Sequence, residues 1–294
     1  MKRRRVLLAG LAAVVLLGAL GTGRYFLRRQ GTAVPVLMYH HFVEQGPAQA
    51  DTVVSAAVFE DQLRALKEGG YTSITPEQLL GYEDGEEELP AKPVMITMDD
   101  GYTSNLDIAA PLLEKYGMTA TVFVIGINVG ERVYPHSGEA LDPPRFSWEQ
   151  VRPWVDKGVL VVQSHTYDMH QRADYGFSGR DGVLPLEGEE EETYRAALEE
   201  DFSKARDGLE RGLGVPMEAL AFPFGLNSPQ AVEELGKLGT RVTFSTQYGC
   251  RRVVPGREKS IQCIERWNIT DTITGEKLVE RLGELAAHAR SEIF

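Results

Sequence analysis

The feature that most restricts the fold of this chain is a repeated exchange between short apolar runs and helix-like stretches. The runs are Val34 to Tyr39, Val94 to Met98, Ala120 to Ile125, Val159 to Val162, Leu220 to Phe222, Val242 to Ser245 and Ile264 to Ile269. Runs this short, bounded by turn formers, read as buried strands. Between them, Ala57 to Gly69 carries Phe59, Leu63 and Leu66 at helical spacing, which turns one apolar face inward. Thr75 followed by Pro76 caps a helix running to Tyr82. Ser147-Trp148-Glu149-Gln150 is a capping box for a helix to Lys157. Glu190 to Leu213, Pro229 to Leu238 and Gly275 to Arg290 are the remaining helical candidates. Strands alternating with helices predict an α/β fold on a parallel sheet.

The run Val94 to Met98 ends on Asp99-Asp100-Gly101. Two ionised carboxylates this close repel each other unless a positive group lies between them or one stays protonated. A bound metal explains the pair, with one aspartate as ligand and the other as a base beside it. A solvated Asp-Asp-Gly turn is the alternative. The segment after Val159 to Val162 bears on the choice, because His165 and His170 fall within it and the chain has only six histidines. Five residues apart, they would lie about 140° apart on an ideal helix, so a loop folding both imidazoles toward one point fits better. Imidazoles plus one carboxylate make the ligand set of an open hydrolytic zinc site. That reading makes one of the two aspartates a ligand with His165 and His170 and the other a base beside them.

These segments resemble the polysaccharide deacetylases of the NodB-homology type, carbohydrate esterase family 4, over about Val34 to Thr270. Thr97-Met98-Asp99-Asp100-Gly101-Tyr102 is similar to the family's first motif, and His165 to His170 to its second. The longer histidine spacing resembles the branch that deacetylates poly-β-1,6-N-acetylglucosamine, as does the Tyr39-His40 segment. Ala221-Phe222-Pro223-Phe224-Gly225 resembles the third motif, with Leu220 where the family usually has arginine. The resemblance implies a distorted, incomplete (β/α)7-type barrel, with the motifs gathered at the carboxyl ends of its strands. It implies a divalent metal, zinc foremost and cobalt or nickel as alternatives, and a polymer of N-acetylglucosamine as substrate. It further implies Asp100, His165 and His170 as the metal ligands, Asp99 as the base, His40 as general acid, preferred over His288, and the Phe224 backbone N–H as an oxyanion donor. Arg266 is the natural replacement for the missing arginine that orients the base. His41 reads as packing, and His136 and His288 as solvated side chains.

Residues 1–30 stand apart from 31–294, which read as one catalytic domain. Lys2, Arg3, Arg4 and Arg5 precede an apolar stretch from Val6 to about Gly23, closed by Arg24, Arg28 and Arg29. That length just suffices to span a bilayer, so a transmembrane anchor is expected, with a cleaved signal peptide as the alternative. Either leaves the catalytic domain outside the cell, tethered or secreted. The segment holds seven basic residues and no acid, leaving 24 basic against 43 acidic, a net charge of −19. So acidic a body argues against nucleic acid as a partner. Export permits a bridge between Cys250 and Cys263 and does not require one.

Other readings differ in class. Peptidoglycan or chitin oligomers could replace the β-1,6-linked polymer. The departure at Leu220 admits a membrane-tethered glycan-binding protein with impaired catalysis. A magnesium phosphatase is disfavoured by the histidines and by the lack of a basic phosphate cradle.

Overall fold

The computed structural model describes residues 30–46 and 50–290. The expected anchor falls on residues outside that range. Among the described residues no helix is long and apolar enough to cross a membrane.

The strands are β1 (Thr32–Val34), β2 (Val36–Tyr39), β3 (His41–Val43), β4 (Val53–Ser55), β5 (Thr72–Ser73), β6 (Pro93–Asp99), β7 (Ala120–Val124), β8 (Leu160–Ser164), β9 (Ala219–Ala221), β10 (Val242–Phe244), β11 (Arg251–Val253) and β12 (Trp267–Asn268). The α-helices are α1 (Ala56–Glu68), α2 (Pro76–Glu83), α3 (Ala110–Tyr116), α4 (Trp148–Asp156), α5 (Glu191–Leu213), α6 (Pro229–Lys237) and α7 (Gly275–Ala287). Both expected caps form: Ser147 with Gln150 opens α4 as a capping box, and Thr75 opens α2, also as a capping box, with Gln78.

The main sheet is parallel, in the order β10-β9-β8-β7-β6-β2-β12, with β5 against the start of β6. Its two faces carry different residues. Val94, Ile96 and Met98 of β6 pack toward the helices, while Met95 belongs to a second cluster with Val36, Phe123, Ala221 and Phe244. The rings of Phe123 and Phe244 lie 5.3 Å apart although β8 and β9 separate their strands. That face is therefore concave, and the sheet is a curled half-barrel. Its edges are linked by the stretch from Ile264 to Ile269. Ile264 bridges Phe244 in parallel, Arg266 donates its N–H to Gln247 at 2.9 Å, and Ile269 donates to Met38 at 3.0 Å.

Strand alternation decides what the concave face receives. On β6 it receives Met95, Thr97 and then Asp99. On β9 it receives Ala219 and Ala221, and Leu220 turns into the helix-side core. Cys250 and Cys263 are both free thiols.

Candidate metal and catalytic centre

Asp99 is the last residue of β6 and Asp100 the first beyond it. Ideal alternation would separate them, yet both carboxylates face the concave mouth. Asp100 leaves the strand in the left-handed region, at φ 73°, which redirects its side chain. A non-glycine residue there is uncommon and strained. Thr166 (φ 70°) and Phe224 (φ 57°) share that conformation, so each of the three chain segments forming the centre has one such turn. Gly225, at φ 72°, admits no side chain at all, since a Cβ would meet Thr246 Oγ1 at 2.2 Å.

Arg266 enters from the stretch that links the sheet edges and is fully buried. Its guanidinium donates to both oxygens of Asp99, at 2.7 and 2.8 Å, and its Nε donates to the carbonyl of Ser245 at 2.9 Å. Burial raises the Asp99 carboxyl, but the charges of Arg266, His165 and His40 outweigh it and hold the group below the usual carboxylate range. Asp99 stays an anion although it is only 2% exposed.

His165 lies just past β8, where its N–H donates to the carbonyl of Val124 at 2.8 Å. Its Nδ1–H donates to the carbonyl of Ala221 at 2.7 Å, which fixes the tautomer and leaves Nε2 with a free lone pair. Burial pushes the imidazole down to about 4, against the pull of the nearby carboxylates. It is neutral at physiological pH. Its Nε2 lies 3.7 Å from Asp100 Oδ1, and the Nε2 of His170 lies 3.5 Å from the same oxygen. Ligand atoms of Asp100, His165 and His170 all fall within 4.8 Å of one another. Burial also raises Asp100, but His170, His40, His165 and Arg145 outweigh it and keep its carboxyl well below the ordinary range.

The donor set fits a divalent cation. Asp100 Oδ1 is buried with no hydrogen-bond partner, and an uncompensated buried carboxylate oxygen is costly. It points between two imidazole nitrogens at separations close to the roughly 3.4 Å expected between ligands on a tetrahedral ion with bonds of about 2 Å.

The remaining expected residues converge on the same place. His40 follows β2, with its Nε2 4.0 Å from Asp99 Oδ2. Phe224 reaches the centre through its ring, 4.6 Å from that of His170. His41 turns aside, its Nδ1 2.9 Å from Ser104 Oγ. His288 ends α7 against the carbonyl of Glu284. His136 is exposed, as expected, and its Nε2 lies 2.7 Å from Asp168 Oδ2.

Sequence reasoning passed over two groups. Asp201 of α5 is buried and accepts the N–H groups of Tyr167 at 2.9 Å and Asp168 at 2.7 Å, pinning the loop that carries both histidines. Burial pushes its carboxyl up to about 6 against those two donors. It occupies the inward stripe Tyr194, Leu198, Asp201, Ala205, Leu209. An acid on an otherwise apolar stripe was the available signal. The second group is Arg145, which lays its guanidinium 3.7 Å over the Tyr102 ring and bears electrostatically on Asp100. Nothing in its turn-rich loop marked it.

A family model described as polysaccharide deacetylase matches residues 86–243, more than half of the chain. The poly-β-1,6-N-acetyl-D-glucosamine N-deacetylase of Escherichia coli (strain K12) is 25% identical over 228 residues, covering 72% of this chain but 34% of its own. The enzyme of that name from Staphylococcus aureus (strain MRSA252) is 24% identical, over 73% of this chain and 72% of its own. The solved structure of IcaB from Ammonifex degensii superimposes with a TM-score of 0.69 at 26% identity, covering 86% of this chain and 98% of its own.

Proposed function

This chain belongs to the polysaccharide deacetylase family, and from that membership we propose that it is a divalent-metal-dependent N-deacetylase of an extracellular polymer of N-acetylglucosamine. The observation that carries the reading is the gathering of Asp100, His165 and His170 beside an aspartate clamped by a buried arginine. The names of the Escherichia coli and Staphylococcus aureus relatives support the β-1,6-linked polymer as substrate. The basic and apolar pattern of residues 1–30 supports export, with the segment kept as an anchor or cleaved.

In this reading Asp100, His165 and His170 hold the cation. When bound, the cation polarises the amide carbonyl and acidifies water; zinc, cobalt and nickel all suit the ligand set. Asp99, kept ionised by Arg266, takes a proton from the attacking water as its oxygen bonds to the carbonyl carbon. The oxyanion receives the backbone N–H of Phe224, presented by the turn that Pro223 and Gly225 fix. His40 gives a proton to the departing nitrogen as the C–N bond breaks, leaving acetate and a free amine. Arg266, which reaches Asp99 from the stretch linking the sheet edges, supports catalysis despite the departure at Leu220.

The test is acetate release from a partly N-acetylated β-1,6-glucosamine polymer, with metal content measured on the same samples. Asp99→Asn should abolish release and keep the metal, whereas His165→Ala should lose both. Release that survives both substitutions overturns the assignment.

A further inference from the structure

A groove of about 230 Å³ opens beside His170, lined by Tyr134, Ser137, Glu139, Gln171, Tyr175 and Phe177. Two of its rings are far more exposed than aromatic side chains usually are: Tyr175 is 66% and Phe177 57% exposed. Their mounting is rigid. Gln171 is buried, and its Oε1 accepts the N–H groups of Phe177 and Ser178 at 2.8 and 2.9 Å. Its Nε2 donates to the carbonyl of Asp168 at 2.7 Å. Gly176, between the two rings, sits in a turn so tight that a Cβ would meet the Arg172 carbonyl at 2.7 Å. From the opposite wall His136 stacks on Phe177 at 4.8 Å and reaches Asp168. Asp168 is in turn tied through its N–H to Asp201. The wall is thus built onto the same loop that carries His165 and His170.

Two exposed rings on a braced loop offer apolar surface whose burial under a ligand is favourable. A pyranose has an apolar face of C–H groups and a rim of hydroxyls. The rings offer flat apolar surface to the first, and Ser137 and Glu139 offer acceptors to the second. The groove shares His170 with the catalytic centre, so a sugar seated there is continuous with one being hydrolysed. We propose that the Tyr134–Tyr175–Phe177 groove is a sugar subsite that holds a neighbouring pyranose of the glycan and sets preference for oligomers over short acetylated substrates. This rests on the deacetylase reading for the identity of the glycan.

The experiment uses the full chain with Tyr175→Ala, Phe177→Ala and the double variant, all at exposed positions. It measures affinity for a β-1,6-linked N-acetylglucosamine pentasaccharide by calorimetry, and kcat/KM for that pentasaccharide and for a fluorogenic aryl acetate. Each single substitution is expected to weaken pentasaccharide binding several-fold, and the double variant by tenfold or more. The pentasaccharide-to-aryl-acetate ratio of kcat/KM should fall by the same factor, carried by KM. Acetate release with affinity unmoved in the double variant overturns the subsite and leaves the deacetylase reading standing. Ring-dependent binding without release of acetate supports the subsite and overturns the deacetylase reading. No binding by the native protein overturns the subsite.

Discussion

Replacing Arg266 with methionine keeps a long unbranched side chain and removes the charge facing Asp99. The guanidinium is fully buried and grips both carboxylate oxygens. The charge centres lie about 4 Å apart, an attraction of about 4 kcal/mol at an effective dielectric of about 20. At about 1.4 kcal/mol per factor of ten, its loss makes protonation of Asp99 easier by up to about a thousandfold. Leaving a buried charge without its partner costs about 3–5 kcal/mol of folding stability near neutral pH. The pH dependence also changes sign. In the native protein Asp99 is held below its unfolded value. Its contribution is therefore present above an unfolded pKa of about 3.9 and is lost as pH falls through the folded value. In Arg266→Met burial dominates and the folded value lies above the unfolded one. Stability then declines as pH rises past about 4. Denaturant unfolding and acetate release, each followed from about pH 4 to about pH 8, read both effects. The acid limb of kcat/KM should move upward, and the stability gap between variant and native protein should narrow toward acid. An unmoved acid limb with an unchanged stability profile would refute the claim that this guanidinium keeps Asp99 ionised.

Other outcomes follow from the same contacts. Asp201→Leu strands the N–H groups of Tyr167 and Asp168 and should cost about 2–4 kcal/mol in denaturant unfolding. Asp201→Asn, which keeps an acceptor, should recover part of that loss, and equal losses in the two variants would count against the pinning role. His165 sits at about 4, below its unfolded value. Its contribution to the metal-free protein is therefore full above about pH 6.5 and is lost as pH falls toward 4, on the order of 3 kcal/mol. His165→Gln should flatten that part of the stability profile, and a profile that keeps its slope would place the titration elsewhere. Burial pushes the Cys250 thiol up to about 12. Without reductant, a maleimide should label Cys250 and Cys263 only after denaturation, and failure to label then would reveal a disulfide.

The strands along the main sheet from β10 to β12 and most helices were legible because periodicity and capping are local signals. The run Val94 to Met98 became β6 with one residue added at each end, and the expected helices from Glu190 and Pro229 became α5 and α6 within a residue. The helical stretch after Asp100 was missed. It begins as a π-helical turn, Asn105–Ala109, and continues only to Tyr116, too short and irregular to show a clean period. β11 pairs with β1 and β3 with β4, contacts between chain segments that no local pattern announces. At the centre, residue types and order pointed to Asp99, Asp100, His165 and His170, and the family resemblance to His40. How two adjacent aspartates share one mouth was not legible, because it depends on the left-handed turn at Asp100. Arg145 acts through three-dimensional placement alone, whereas Asp201 stood on the apolar stripe of a helix whose many other charges concealed it.

The seam between the sheet edges has a consequence for biogenesis. Asp99 emerges from the ribosome 167 residues before the side chain that clamps it. A nascent chain that has displayed Asp99, Asp100, His165 and His170 still lacks the guanidinium, and its concave face stands open along one side. Under the proposed mechanism, hydrolytic competence therefore arrives late in synthesis, with the insertion of a few residues near Arg266. Truncation or premature arrest upstream of Ile264 would yield polypeptides retaining the motif residues yet catalytically silent.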